Sequence, residues 1–193
     1  MTSWLLCDYG QVLSTAPPEE EWDRLRLAVG GLSPSDFLAA YWDHRPAYDR
    51  ADLSAAAYWK LVTGDEPDAD RLARIIRLDT AVWLHPDRPS VEAAVAAAGR
   101  GHRLAIFSNA PVEVAAAIDR LEWLEPFEAR FYSCDLRAVK PEPAAYRQVL
   151  EGLGAAPGEV FFVDDRAANV DAARSAGIRA EVYSGPEVFD RLS

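Results

Sequence analysis

Along this chain, short continuously apolar runs alternate with longer segments whose apolar positions recur every three or four residues. Five of the runs predict buried strands: Trp4–Cys7, Arg103–Phe107, Arg130–Tyr132, Val160–Val163 and Arg179–Tyr183. The first, second and fourth lack the alternation of a half-exposed sheet, so they predict parallel strands covered on both faces. Helical spacing fills the intervals. Ser90–Ala98 precedes the second strand and Val112–Leu121 follows it; Pro143–Leu153 precedes the fourth, and Ala167–Ala176, closed by Gly177, follows it. Strands alternating with helices imply right-handed crossovers and a doubly wound α/β fold.

Between about Pro17 and Trp83 that rhythm stops. No strand pattern occurs there, only helical spacing broken by turn signals. Ser33-Pro34-Ser35-Asp36 predicts one helix start, and Asp52 before Leu53–Val62 predicts another. Gly30-Gly31 and Gly64-Asp65 separate the segments. The stretch reads as a helical insertion after the first strand, and it holds Trp22, Trp42, Trp59 and Trp83 of the six tryptophans.

Composition narrows the function classes. A chain of 193 residues suits one α/β core with a small insertion. Its formal net charge of −11 argues against nucleic acid as a partner, since phosphate backbones call for a basic surface. Cys7 and Cys134 are far apart with no CxxC spacing, which fits neither a disulfide framework nor a zinc site. No signal-peptide pattern and no apolar run long enough to cross a bilayer occur, so a cytoplasmic protein with no membrane partner is expected. Nothing in the sequence fixes an oligomeric state.

Four segments carry candidate chemistry. In Cys7-Asp8-Tyr9-Gly10, a carboxylate ends a buried parallel strand, where open α/β sheets bind ligands, although an Asp there can equally cap a turn. In Phe107-Ser108-Asn109, a hydroxyl and an amide end the second strand, placed to bind phosphate oxygens or to cap a helix. In Val139-Lys140-Pro141-Glu142-Pro143, prolines stiffen the chain around one lysine, as suits a lysine aimed at one place, although an isolated Lys-Pro more often carries a solvated surface lysine. In Val163-Asp164-Asp165, two adjacent carboxylates end an apolar strand, with Asn169 one helical turn later. Like charges so close resist joint ionisation, and a bound divalent cation relieves that, magnesium being favoured by oxygen ligands.

In this order the four segments resemble the motifs of the haloacid dehalogenase superfamily over essentially the whole chain. The resemblance implies a five-stranded parallel sheet in the order 5-4-1-2-3, formed by residues 1–16 and 84–193, with 17–83 as a helical cap. It implies a magnesium-dependent phosphatase acting on a small phosphorylated metabolite through an aspartyl-phosphate. Asp8 would be the nucleophile; Lys140, Ser108 and Asn109 would hold the phosphoryl oxygens. Magnesium would take Asp8, the Gly10 carbonyl and Asp165, with Asp164 binding directly or through a water and Asn169 behind them. Within the insertion, His44, Arg45 and Tyr48 are the candidates for substrate specificity, whereas His85 and His102 are expected to be structural.

One position departs from the family pattern. Phosphatases of this superfamily generally carry a second Asp two residues after the nucleophile, as general acid and base; here that residue is Gly10. Such help is worth about 10²–10⁴-fold in rate. A subgroup of sugar-phosphate phosphatases shares the Asp-x-Gly-x-Val form seen in Asp8–Val12, so a glycosyl phosphate is a candidate substrate. A weakened relative that only binds a phosphorylated ligand, and a phosphomutase, are the competing expectations.

Overall fold

The computed structural model describes residues 3–191. Five parallel strands form one sheet: β1 (Trp4–Cys7), β2 (Arg103–Ser108), β3 (Phe127–Tyr132), β4 (Val160–Asp164) and β5 (Arg179–Val182), in the order β3-β2-β1-β4-β5. That is the predicted order. β1 is central, pairing Leu6 with Ala105 on one side and with Phe162 on the other. Both faces of the central strands are covered, which explains their unbroken apolar sequence. Leu5, Cys7, Leu104, Ile106, Phe161 and Val163 face one apolar cluster; Trp4, Leu6, Ala105, Phe107, Val160 and Phe162 face the other.

The edge strand β3 starts three residues earlier than its apolar pattern predicts. Glu128 and Arg130 interrupt the pattern on an edge where side chains reach water; the register to β2 shifts past Glu128 and pairing resumes at Ala129 and Arg130.

Five helices lie between β1 and the next core helix: α1 (Glu19–Ala28), α2 (Pro34–Asp43), α3 (Arg45–Asp49), α4 (Ala55–Thr63) and α5 (Ala69–Ala81). Among themselves they close a third apolar cluster around Phe37, Tyr41, Tyr58, Trp59 and Ile75. Ser33 caps α2 as its sequence predicts, accepting from the Asp36 amide at 3.2 Å. The predicted start at Asp52 is displaced. Ala51 turns left-handed, Asp52 pairs with Arg50, and Ser54 caps α4 instead. The insertion leaves and rejoins the core at one place, where Ser14 bridges Pro86 and Thr15 N–H donates to His85 O at 2.8 Å.

The sheet is flanked by α6 (Arg88–Gly99) and α7 (Val112–Ile118) on one face and by α9 (Pro143–Leu153) and α10 (Ala167–Ser175) on the other, with the single turn α8 (Ser133–Leu136) following β3. α7 stops at Ile118, short of its predicted end at Leu121. All four chemistry-bearing segments emerge at the carboxyl edge of the sheet, beneath the insertion.

Candidate active site

Asp8 leaves β1 with its amide still paired to Val163 O at 2.8 Å, so the sheet itself fixes where this carboxylate stands. Asp8 Oδ1 accepts from the Tyr9 amide at 2.7 Å and faces Lys140 Nζ at 2.8 Å. Lys140 is almost wholly buried, and its ammonium has three donors. They reach Asp8 Oδ1, Asp164 Oδ2 at 2.6 Å and Phe107 O at 2.8 Å. Burial opposes the charge on Lys140, but Asp164 and Asp8 outweigh it and hold its pKa above the ordinary lysine value.

Asp164 is fully buried and both of its oxygens are occupied. Oδ1 accepts from the Arg166 amide and Oδ2 from Lys140, while Asn169 Nδ2 reaches both, at 2.9 and 3.1 Å. Its neighbour Asp165 is half-buried and lines the open cavity, with an oxygen within 4.8 Å of one on Asp164. Adjacent residues leaving a strand diverge, and the two carboxylates thereby differ in surroundings.

Asp8, Asp164 and Asp165 each offer an oxygen, all within 4.8 Å of one another. Lys140 alone cannot neutralise three carboxylates. Burial raises the pKa of Asp8 against the opposing pull of Lys140, with Asp164 adding to the rise; burial and Asp164 raise that of Asp165. Asn169 Oδ1 is also buried without a partner at this point. Excess negative charge on hard oxygen donors is the environment a divalent cation such as magnesium stabilises, so these residues fit the implied metal.

Ser108, at the end of β2, lines the same cavity. Asn109 does something the sequence did not reveal. Its side chain clasps the Lys140 backbone, donating to Lys140 O at 3.0 Å and accepting from Lys140 N at 2.8 Å. Its amide therefore positions the lysine loop, while the Ser108 hydroxyl takes no side-chain hydrogen bond among the described residues.

The cavity has a volume of about 730 Å³, within the range of small-molecule sites. Its floor is the carboxylate cluster. Its roof comes from the insertion: Trp42, Arg45, Asp49 and Arg50, with Trp83 at the side. Of the three insertion residues singled out in the sequence, only Arg45 lines it. Arg45 is buried, donating to Asp49 Oδ1 at 2.8 Å and to Asp79 Oδ1 at 3.1 Å, with its guanidinium over the Tyr41 ring. Tyr48 is buried against Tyr58 and donates to Glu113 Oε2 at 2.8 Å, tying α3 to α7. His44 faces Asp43, outside the cavity lining.

Gln11, Asp49, Arg50, Trp83 and Glu142 were not among the expected site residues. Gln11 carried a local signal only in retrospect: it is a non-glycine residue with φ near 57°, a conformation associated with functional constraint. Gly10, by contrast, has no left-handed φ, and a Cβ there would meet only the Trp83 ring, at 3.9 Å.

A five-stranded parallel sheet with a carboxylate at the end of its central strand, a buried lysine and an acidic pair defines the class. The chain belongs to the haloacid dehalogenase-like hydrolases, whose family model matches residues 14–177. Among characterised relatives, it is 30% identical to phosphoglycolate phosphatase of Rhodospirillum rubrum over 82% of this chain and 69% of that protein. It is 34% identical to rat bifunctional epoxide hydrolase 2 over 48% of this chain, but spans only 18% of that much longer protein. The fold closely matches a haloacid dehalogenase family enzyme from Bacteroides thetaiotaomicron, with a TM-score of 0.78, 18% identity, and 99% and 98% of the two chains covered. That enzyme has also been solved with magnesium and inorganic phosphate bound.

Proposed function

We propose that this hydrolase is a magnesium-dependent phosphatase that cleaves a small phosphorylated metabolite through an aspartyl-phosphate on Asp8. The observation that carries the reading is the juxtaposition of Asp8, Lys140, Asp164 and Asp165 at the floor of an open cavity. The phosphatase among its relatives, and a structural neighbour that binds magnesium and phosphate, support it. Residues 17–83 act as the cap, and residues 1–16 with 84–193 as the catalytic core.

In this reading Asp8 attacks phosphorus in line, and the alcohol leaves on the opposite side. Lys140, exchanging its hydrogen bond to Asp8 for one to the substrate as Asp8 takes up the phosphoryl group, and the Ser108 hydroxyl meet the equatorial phosphoryl oxygens, where negative charge accumulates in the transition state. Asn109 keeps the lysine loop in register. Asp164 anchors Lys140 and Asn169, while Asp8, Asp165 and the Gly10 carbonyl would hold the metal. When bound, magnesium offsets the repulsion between an anionic nucleophile and an anionic phosphate. Trp42 and Trp83 give the cavity an aromatic lining suited to a sugar ring, as in a glycosyl phosphate.

Gly10 favours a second reading, a phospho-ligand-binding protein with little turnover. Phosphate release from p-nitrophenyl phosphate separates the two, because its leaving group hardly needs a proton. Release that requires magnesium and is abolished in Asp8→Asn is the expected result. Full activity after exhaustive EDTA treatment, or in Asp8→Asn, would overturn the mechanism.

A further inference from the structure

The cavity contains a carboxylate that the reaction outlined above leaves unused. Four residues with carboxylates line it: Asp8, Asp49, Glu142 and Asp165. Asp8 is the nucleophile, Asp165 belongs to the metal site, and Glu142 is engaged by Arg50. Asp49, at the end of α3 in the insertion, has only Oδ1 committed, to Arg45. Its Oδ2 takes no hydrogen bond from the described residues, and it is not among the sealed, unpartnered buried atoms.

Backbone contacts fix Asp49 over the phosphate-binding loops. The Ser133 hydroxyl donates to Asp49 O at 2.6 Å and accepts from the Ala110 amide at 2.9 Å, two residues beyond Ser108. The next residue, Arg50, pairs with Glu142, two residues beyond Lys140. Asp49 is thus stapled both to the loop that would hold the phosphoryl group and to the loop that carries its lysine.

We propose, resting on the phosphatase reading, that Asp49 is the general acid and base of this enzyme, replacing from the cap the carboxylate that Gly10 lacks. The Asp49 carboxyl gives its proton to the leaving-group oxygen as the P–O bond to the alcohol breaks and the Asp8–phosphorus bond forms. The resulting Asp49 carboxylate then takes a proton from the water that attacks the aspartyl-phosphate. Phosphate leaves, Asp8 is regenerated, and Asp49 is protonated again for the next turnover.

The surroundings of Asp49 suit proton exchange. Asp49 and Asp79 share the single Arg45 guanidinium, so a fully ionised cluster would carry excess negative charge away from water. Burial accordingly raises the pKa of Asp49 despite the opposing pull of Arg45, and Asp79 raises it further. Asn at position 49 can still accept the Arg45 hydrogen bond but cannot deliver a proton.

The test compares p-nitrophenyl phosphate with a simple alkyl phosphate, both with magnesium, in unmutated protein, Asp49→Asn and Asp49→Asn/Gly10→Asp. In Asp49→Asn the ratio of alkyl to p-nitrophenyl turnover should fall by about a hundredfold or more, the usual scale of general acid–base help. The second substitution should recover much of the ratio, since a Cβ at position 10 meets no close contact. A merely structural role would depress both substrates alike. An unchanged ratio in Asp49→Asn, with the unmutated protein active, overturns the role of Asp49 and leaves the phosphatase reading standing. Absence of phosphate release from either substrate by the unmutated protein overturns both.

Discussion

Lys140 gives its three hydrogen bonds to three oxygens at the carboxyl ends of three different strands, β1, β2 and β4. It is therefore a structural cation as well as a candidate phosphate ligand. Replacing it with Met keeps the stem but leaves Asp8 and Asp164 buried without their counterion. Breaking a buried pair in this way costs about 3–5 kcal/mol, so Lys140→Met should lower the urea midpoint of the metal-free protein markedly and abolish phosphate release. Because its folded pKa is raised, the stability Lys140 contributes is complete below the ordinary lysine pKa of about 10.4 and is lost as pH rises through the higher folded value. An unfolding titration of Lys140→Met matching the unmutated protein would show that the cluster does not need its ammonium.

At the scale of elements, the short helix α3 is the joint between insertion and core. Tyr48 reaches Glu113, Ser133 reaches Asp49 O, Arg50 reaches Glu142, and Arg137 Nη1 donates to Ala51 O at 2.6 Å. These contacts differ in kind. Ser133 is fully buried and satisfies an amide and a carbonyl at once, so Ser133→Ala strands two backbone groups and should cost about 1–3 kcal/mol. Tyr48→Phe removes one half-buried hydrogen bond and should cost about 0.5–1.5 kcal/mol. Denaturant unfolding of the two variants, in that rank order, checks the assignment; the reverse order would make the Tyr48–Glu113 contact the principal tie.

How readily each of these elements could be read from sequence depended on how local its cause is. Trp4–Cys7 and Val160–Val163 were legible because burial on both faces leaves an unbroken apolar run. Three of the four chemistry-bearing segments were legible because each ends a strand, and the fourth because prolines flank its lysine. α3 was hidden within a longer helical pattern: α2 ends at Asp43, and Arg45-Pro46 starts a new five-residue helix that a periodicity window cannot resolve. Ser133, Asp49 and the clasp of Asn109 on Lys140 depend on partners 31 to 84 residues away. A lone serine or aspartate carries no pattern announcing such a partner. Tyr48 and Arg45 drew attention as an aromatic, charged segment, yet the same chemistry served mainly to pack and tie the insertion.

For the molecule as a whole, metal and fold should be linked. The carboxylate cluster sits where β1 and β4 leave the sheet, so a cation bound there stabilises the native state and not the unfolded chain. Stabilisation by a ligand at a hundred times its dissociation constant is about 2.7 kcal/mol. Saturating magnesium should therefore raise the thermal midpoint, and Asp165→Ala should remove most of that rise. Asp164→Ala should act differently, lowering the midpoint even without metal, because Lys140 and Asn169 lose their shared acceptor. A magnesium shift that survives in Asp165→Ala would move the metal elsewhere.

The bridge between Ser14 and Pro86 makes the insertion a detour rather than a through-route. The chain departs and returns within one antiparallel contact, so the core meets the same two backbone neighbours whatever lies between them. A segment attached in this way can be lengthened, shortened or exchanged with little added closure entropy, which grows only slowly with loop length. With the insertion as the proposed cap, reactive machinery and substrate choice can then change independently. If the proton donor also resides in the detour, such an exchange would carry part of the chemistry with it, and chimaeras between relatives would change rate as well as preference.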